Sequence, residues 1–466
     1  MMFDRSRVAG ATDAAGRRLL VVADSDSYVK WGAALASTLP DRWRVQLVVF
    51  ASPVQPSPTQ LVHALAGTRF SPARTRVVHL DDLDGLLDVF DPHAVLLSLR
   101  GPFVRVVAPR IERRPNRPVL VSGFPGLTIP AVPKAVAYRE QTDLVVLHSR
   151  REVREFRANA AELGIGTTFA LATLPFLAVA GPAASDRTDV VFATQAKVPM
   201  AREDRVRLLG ALAELARRRP DQRVVVKVRA RRGEAQTHDE SFDYADLMPE
   251  VDPPANLVVE DGPMAEKLER AAALVTVSST AVLEAVALDI PALVIEDYGV
   301  SAAMINLVFE DSGLIGSTAD LVEGRFRTAD AAWLADNYFH APDAADWVRR
   351  LDAFAESREI VPLGRLERRR DLSGGVLRSA FERRRMLGEH DRSVLGAFAW
   401  GVGVPARGAV RRVRRLRSRW IGRGEPVVPP KRVEGWRPSD PVRATAGTSP
   451  ADPSAERRVP LDMAEV

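Results

Sequence analysis

The chain has 466 residues, 46% of them hydrophobic, and carries 65 Lys and Arg against 60 Asp and Glu, a formal net charge of +5. This composition excludes a wholly disordered, collagen-like or coiled-coil protein, and the length predicts two or three domains. Cysteine is absent, which excludes a disulfide framework, zinc ribbons, iron–sulfur clusters and thiol catalysis.

In chain order, the N-terminal stretch MMFDRSRVAGATDAAGRR has no apolar segment of the kind a secretory signal needs, so a cytoplasmic protein is expected. RRLLVVAD (17–24) then gives an unbroken apolar run, which suits a strand buried on both faces of a parallel sheet. Similar runs recur at 44–52, 75–80, 93–99, 117–123 and 143–149, with amphipathic helical stretches such as 29–39 and 150–163 between them. Strands alternating with helices predict βαβ units and a doubly wound domain over 15–178. Residues 177–189, rich in Gly, Ala, Pro and Ser, read as a linker.

The alternation restarts with strands at 188–195, 222–230, 256–261, 273–279 and 290–297 and a helix over 202–219, predicting a second α/β domain over 188–345. Helical patterns follow at about 328–336, 342–357 and 364–388, so 346–390 reads as a helical segment. Arg392 to Gly424 then holds nine Arg and no acidic residue, making 391–424 a basic amphipathic segment, and 425–466, with eight Pro, is an expected disordered tail. Residues 351–466 carry +9, which leaves −4 on residues 1–350.

There is no GxxxxGK[ST], GxGxxG after a strand, HExxH, EF-hand loop or GxSxG, and the seven His have no ligand spacing, so no metal site is predicted. The most informative stretch is LVTVSSTAVLEAVALDIPALVIEDYG (274–299). A strand runs into Ser278, Ser279 and Thr280, where a helix begins. A helix N-terminus presents N–H groups and a partial positive charge to a phosphate. Glu284, one turn on, is placed to accept hydrogen bonds from a ribose diol, as acidic residues do in dinucleotide folds. An ordinary N-cap is the competing explanation, although with Thr280 as cap the capping-box position is Leu283 and Glu284 misses it by one.

The pattern S-S-T-x-x-x-E-A-x-x-x-x-x-P-A-L-V-I resembles the C-terminal domain of GT-B glycosyltransferases. It is similar to the nucleotide-sugar subsite of the lipid-linked N-acetylglucosaminyltransferase of peptidoglycan synthesis, to the capsule-polymer and CDP-glycerol glycerophosphotransferase group, and to hydrolysing UDP-N-acetylglucosamine 2-epimerases. The resemblance implies two Rossmann-like domains facing across a cleft. It also implies a donor diphosphate at Ser278, Ser279 and Thr280 and a ribose at Glu284. No bound metal or cofactor is implied, and the nucleotide-activated sugar enters as substrate.

KVRARRGEAQTH (227–238) supplies a cationic loop in which Lys227 and Arg229 suit a diphosphate and His238 a phosphate contact or an acid. Related GT-B proteins carry Lys-x-His-Pro near here, whereas this chain has Arg229 in the His place; a solvated basic loop is the plain alternative. Asp24, Ser25, Asp26, Ser27 and Tyr28 follow the first strand, at the sheet edge where open α/β folds bind ligands. The resemblance turns this edge towards the acceptor, with Asp24 or Asp26 as general base. The DxD spelling also resembles the first motif of haloacid-dehalogenase phosphatases, and turn chemistry explains the same residues. GFPGLTIP (123–130), with Gly123 and Gly126, reads either as a lining of the cleft near Arg139 and 148–152 or as a turn needing positive φ, and Glu296 and Asp297 are placed to touch the sugar or cap a helix.

The mixture of apolar and Arg residues over 394–420 fits an anionic membrane surface, with a solvated tail as the alternative. Nucleic acid is disfavoured as a partner for want of an aromatic-rich binding motif. The expected function is glycosyl transfer to a cell-envelope or polysaccharide acceptor. A 2-epimerase on the same fold, a Mg²⁺-dependent phosphatase on Asp24 and Asp26, and a non-catalytic scaffold stay open.

Overall fold

The computed structural model describes residues 16–178, 187–228, 242–368 and 375–403. The apolar runs form two sheets, all of whose strand pairs are parallel. The first contains β1 (Arg17–Ala23), β2 (Trp43–Phe50), β3 (Arg76–Val78), β4 (Ala94–Ser98), β5 (Val119–Gly123), β6 (Leu144–Leu147) and β7 (Thr168–Leu171), in the order β3-β2-β1-β4-β5-β6-β7. The second contains β8 (Asp189–Ala193), β9 (Val224–Lys227), β10 (Leu257–Glu260), β11 (Ala271–Thr276), β12 (Ala292–Ile295) and β13 (Ile315–Gly316), in the order β10-β9-β8-β11-β12-β13.

Successive side chains of a strand point to opposite faces, which is why unbroken apolar runs were needed. Leu19, Val21 and Ala23 of β1 enter one core, and Leu20 and Val22 the other. Val190 and Phe192 of β8 pack under the Arg202–Arg218 helix through Leu208, Leu209 and Leu212, while Val191 and Ala193 face the Ala281–Ala287 helix through Val282 and Ala285. This is the twin Rossmann-like layout that the GT-B resemblance implied. In each sheet the strand order reverses beside the central strand, between β1 and β4 and between β8 and β11. Ligands of such folds bind in the crevice beyond the strand ends at these switch points.

Two domains are braced together. Leu127 and Ile129, from the loop after β5, are buried in the core of the second domain. Tyr338 Oη donates to Glu152 Oε1 at 2.8 Å, and Arg154 makes two hydrogen bonds, at 2.5 and 2.7 Å, to Asp336. The Pro175–Ala178 turn touches both the Asp26–Ser37 helix and the Ala281–Ala287 helix. The chain then returns to the first domain. Trp347, Leu351 and Ala355 of the Trp347–Ile360 helix join its core, and Asp352 accepts from Arg17, Arg42 and Trp43 Nε1. The helix expected over 364–388 is observed as Gly375–Leu387; residues 361–368, with Pro362 and Gly364, are irregular, and 369–374 lie outside the described residues. Among the described residues no helix is long and apolar enough to cross a membrane.

Candidate active site

On the second domain, β11 ends at Thr276, whose hydroxyl accepts from Ser278 N at 3.3 Å and Ser279 N at 3.1 Å and donates to Ala193 O at 2.8 Å. Ser278 is buried and its hydroxyl donates to Ile305 O at 2.8 Å, while Gln195 Nε2 donates to Ser278 O at 2.9 Å and so spans the switch point between β8 and β11. Ser279 Oγ accepts from Ala281 N at 3.2 Å, and Thr280 occupies the N-cap position without a side-chain cap bond. The N–H groups of Ser278, Ser279 and Ala281 are therefore all used within the turn. This corrects the expectation of a row of open donors: Ser278 is a brace, and Ser279 and Thr280 are the members of the triplet that reach partly into solvent.

Glu284 lies one turn along this helix, partly buried. Burial raises its pKa, and two ammonium groups pull it down: Lys30 on the Asp26–Ser37 helix of the first domain, and Lys227 at the end of β9. One carboxylate thus feels a lysine from each domain, at the carboxyl edges of both sheets. Lys227 is only partly exposed, and its carbonyl accepts from Thr194 Oγ1 at 3.0 Å. Arg229, Arg231, Arg232 and His238 lie outside the described residues.

On the first domain the sheet edge is built differently from the expectation. The Asp24 carboxylate is wholly buried; Arg100 Nε donates to it at 3.0 Å and Ser25 Oγ at 3.2 Å. Burial raises its pKa and Arg100 opposes the rise. The pair spans the switch point from the end of β1 to the end of β4, as Gln195 and Ser278 do in the second domain. Asp24 therefore holds the edge together and is not presented to an acceptor or to a phosphate, and Ser25, also buried, serves the same pair. Tyr28 is buried too, with its hydroxyl accepting from Arg139 Nη2 at 3.3 Å. Asp26 and Ser27, which open the helix, are the members of this group that reach solvent, and Asp26 stands one turn from Lys30 on the same helix.

The glycine loop is a joint. A Cβ on Gly123 would lie 2.5 Å from the Trp31 ring and 2.7 Å from Val146 O, so this glycine lets Trp31 pack instead of admitting a ligand. Gly126 sits at the domain boundary, where a Cβ would meet Thr280 Cγ2 at 3.7 Å. Arg139 is fully buried and donates to Ser122 Oγ, Ala135 O and Gly123 O, with its guanidinium 3.7 Å from the centre of the Phe124 ring. Within 148–152, His148 accepts from Trp31 Nε1 at 2.6 Å through Nε2, which leaves Nδ1 to donate to Ala172 O at 3.1 Å. Glu152 caps its own helix and also accepts from Thr128 and Tyr338. These groups bind the architecture together behind the cleft. Asp297 accepts from Thr318 N at 2.7 Å and serves as a helix-capping group, the second of its two expected roles.

Residues 19–354, well over half of the chain, match a family described as "Putative glycosyltransferase (DUF6716)". The chain belongs to this family. No curated protein matches it. Similar solved structures include a UDP-GlcNAc 2-epimerase from Neisseria meningitidis bound to UDP-GlcNAc, with 11% identity over 74% of this chain and 99% of that one and a TM-score of 0.46. Others are Phytolacca americana UGT2 complexed with UDP-2fluoro-glucose and pterostilbene (10%, 74% and 96%, 0.40) and a ugt transferase from Siraitia grosvenorii in complex with UDP (13%, 80% and 99%, 0.41). The fold assignment for this family member rests on its own strand orders.

Four residues of this family member were not singled out in the sequence: Arg100, Gln195 and Arg205, which brace the loops of the site, and Lys30, whose ammonium acts on Glu284. Arg205 is buried and donates to Pro199 O at 2.9 Å and Ala196 O at 2.6 Å, fixing the loop after β8 that carries Gln195. A helical Arg among the many of this chain gives no sign of that role. Lys30 was findable: it is one turn after Asp26 on the first helix, the same edge that drew attention to Asp24.

Proposed function

We propose that the protein transfers a sugar from a nucleoside diphosphate sugar to a hydroxyl acceptor. The observation that carries this is Glu284, a partly buried carboxylate on the helix after β11 that feels the ammonium groups of Lys227 of its own domain and Lys30 of the other. A carboxylate in that position suits a ribose diol, and the flanking ammonium groups suit a diphosphate. The family description supports the same reading. Ser279 and Thr280 add hydroxyls on the donor side, and Arg229 and His238 belong to it by their place in the sequence alone.

In this reaction the acceptor oxygen forms a bond to the anomeric carbon, and the bond from that carbon to the diphosphate oxygen breaks with its electron pair. The acceptor proton passes to a base, for which Asp26 is the solvent-reaching carboxylate at the N-terminal edge. Lys227 and Lys30 offset the charge that builds on the leaving diphosphate. Holding donor and acceptor on facing domains supplies orientation.

Product analysis with candidate acceptors tests the assignment. Asp26→Asn is expected to lower transfer by about 10²- to 10⁴-fold while leaving donor affinity within a few-fold. A sugar released with inverted C2 and no acceptor dependence would mark a 2-epimerase and contradict transfer.

A further inference from the structure

A second cationic feature lies between two helices packed on the first domain. Between the Gly101–Glu112 helix and the Gly375–Leu387 helix is a cavity of about 370 Å³. Six guanidinium groups line it, those of Arg105, Arg110, Arg113, Arg368, Arg383 and Arg385, against the single carboxylate of Glu382. Asp81 and Asp84 pair with Arg110, and Asp391 with Arg383, so part of this charge is offset from outside. Glu382 itself pairs with Arg385, so six guanidinium groups stand against four carboxylates and the cavity keeps a net positive charge. Arg383 also donates to Ser393, whose carbonyl and hydroxyl accept from Ala397 N and Gly396 N at the start of the next helix, 394–403.

That helix is apolar on both sides. Its inner side is made by Ala399, which packs with Ala380 and Phe381, by Gly403, where a Cβ would collide with the Phe381 ring, and by Trp400, which stacks on that ring. Its outer side is apolar as well, with Val394 86%, Phe398 60% and Val402 58% exposed, and Leu395 beside them. Positions 394, 398 and 402 recur every fourth residue and make one continuous stripe. Val376, 72% exposed, extends the apolar surface on the neighbouring helix, three residues before Ser379 of the cavity wall. A soluble monomer seldom leaves such a stripe uncovered.

We propose that this face docks on an anionic phospholipid surface, the stripe entering the acyl boundary and the arginine cavity taking a phosphate headgroup. Charge decides the occupant. The apolar stripe adjoins six guanidinium groups, and the chain beyond it, Val404 to Gly424, adds eight Arg and no acidic residue. Apolar insertion beside a basic patch is the pairing that gives stable binding to anionic lipid where either alone is weak. None of the lining residues is among those given a role in transfer, so failure of this docking site would leave the proposed transfer untouched.

Co-sedimentation of the full-length protein with vesicles tests it. Binding is expected to vesicles in which phosphatidylglycerol makes up about a third of the lipid, and not to pure phosphatidylcholine. Phe398→Ser with Val402→Ser should weaken binding roughly tenfold or more, through lost apolar burial. Arg105→Gln with Arg113→Gln should weaken it by about tenfold. Circular dichroism checks that each variant is folded. Full binding by either folded double variant would overturn the proposal, because attachment would then run through the tail arginines alone. Equal binding to both vesicle types would overturn it too, as would a wild-type dimer that ignores vesicles and is split by the Phe398 and Val402 changes.

Discussion

Asp24 and Arg100 meet across the gap between β1 and β4, and in the same domain Trp31 Nε1–H donates a hydrogen bond to His148 Nε2. Burial lowers the His148 pKa from 6.5 to about 4. The unfolded chain therefore binds a proton that the folded one refuses between these values, so the stability due to His148 is complete above pH 6.5 and is lost as pH falls towards 4. The loss amounts to roughly 3 kcal/mol. Urea unfolding at pH 7.5 and 4.5 should show it, and His148→Gln, which keeps an acceptor for Trp31, should flatten that part of the profile. A variant with the wild-type slope would assign the titration elsewhere. At this scale the sequence was legible by type and less so by exposure. DSDSY marked the right edge, but which of its two carboxylates faces water depends on Arg100, 76 positions later. Likewise the SST turn was found, while Thr276, which consumes two of its N–H groups, was read only as part of a strand.

Strands written as unbroken Val, Leu and Ala runs were visible because both sheet faces are buried. The edge strands β7 and β13 were missed: TFAL has four residues and follows a Gly-rich turn, and β13 has two. Loop GFPGLTIP stands out by its glycines, which read as a cleft lining or as a positive-φ turn. What approaches Gly123 is Trp31. Gly123→Ala should therefore act on stability, at a cost of about 1–3 kcal/mol from overpacking. Equilibrium denaturation checks this, and a fully stable variant that loses only donor binding would restore the ligand reading. The helices after 345 were predicted as elements, but their packing back onto the first domain depends on long-range contacts such as Asp352 with Arg17, which no local pattern encodes.

The two domains form one working unit because groups far apart in sequence close the joint: Leu127 and Ile129 in the opposite core, Arg154 with Asp336, and Glu152 with Tyr338. Tyr338→Phe removes one donor from a buried carboxylate and should cost about 1–3 kcal/mol, seen as a lower unfolding midpoint. An unchanged midpoint would show that the Glu152 contact does not hold the domains. Across this joint, Glu284 of the second domain feels the ammonium of Lys30 of the first. The central claim is that Glu284 stands in a nucleotide site shared by both domains, and thermal unfolding with and without UDP, GDP, CDP and CMP tests it most directly. A ligand at 100 times its Kd stabilises a folded protein by about 2.7 kcal/mol. The account predicts that at least one nucleotide raises the unfolding temperature of the wild type and that Glu284→Ala abolishes most of the shift. A wild type that no nucleotide stabilises, or a Glu284→Ala protein that responds as the wild type does, would contradict it.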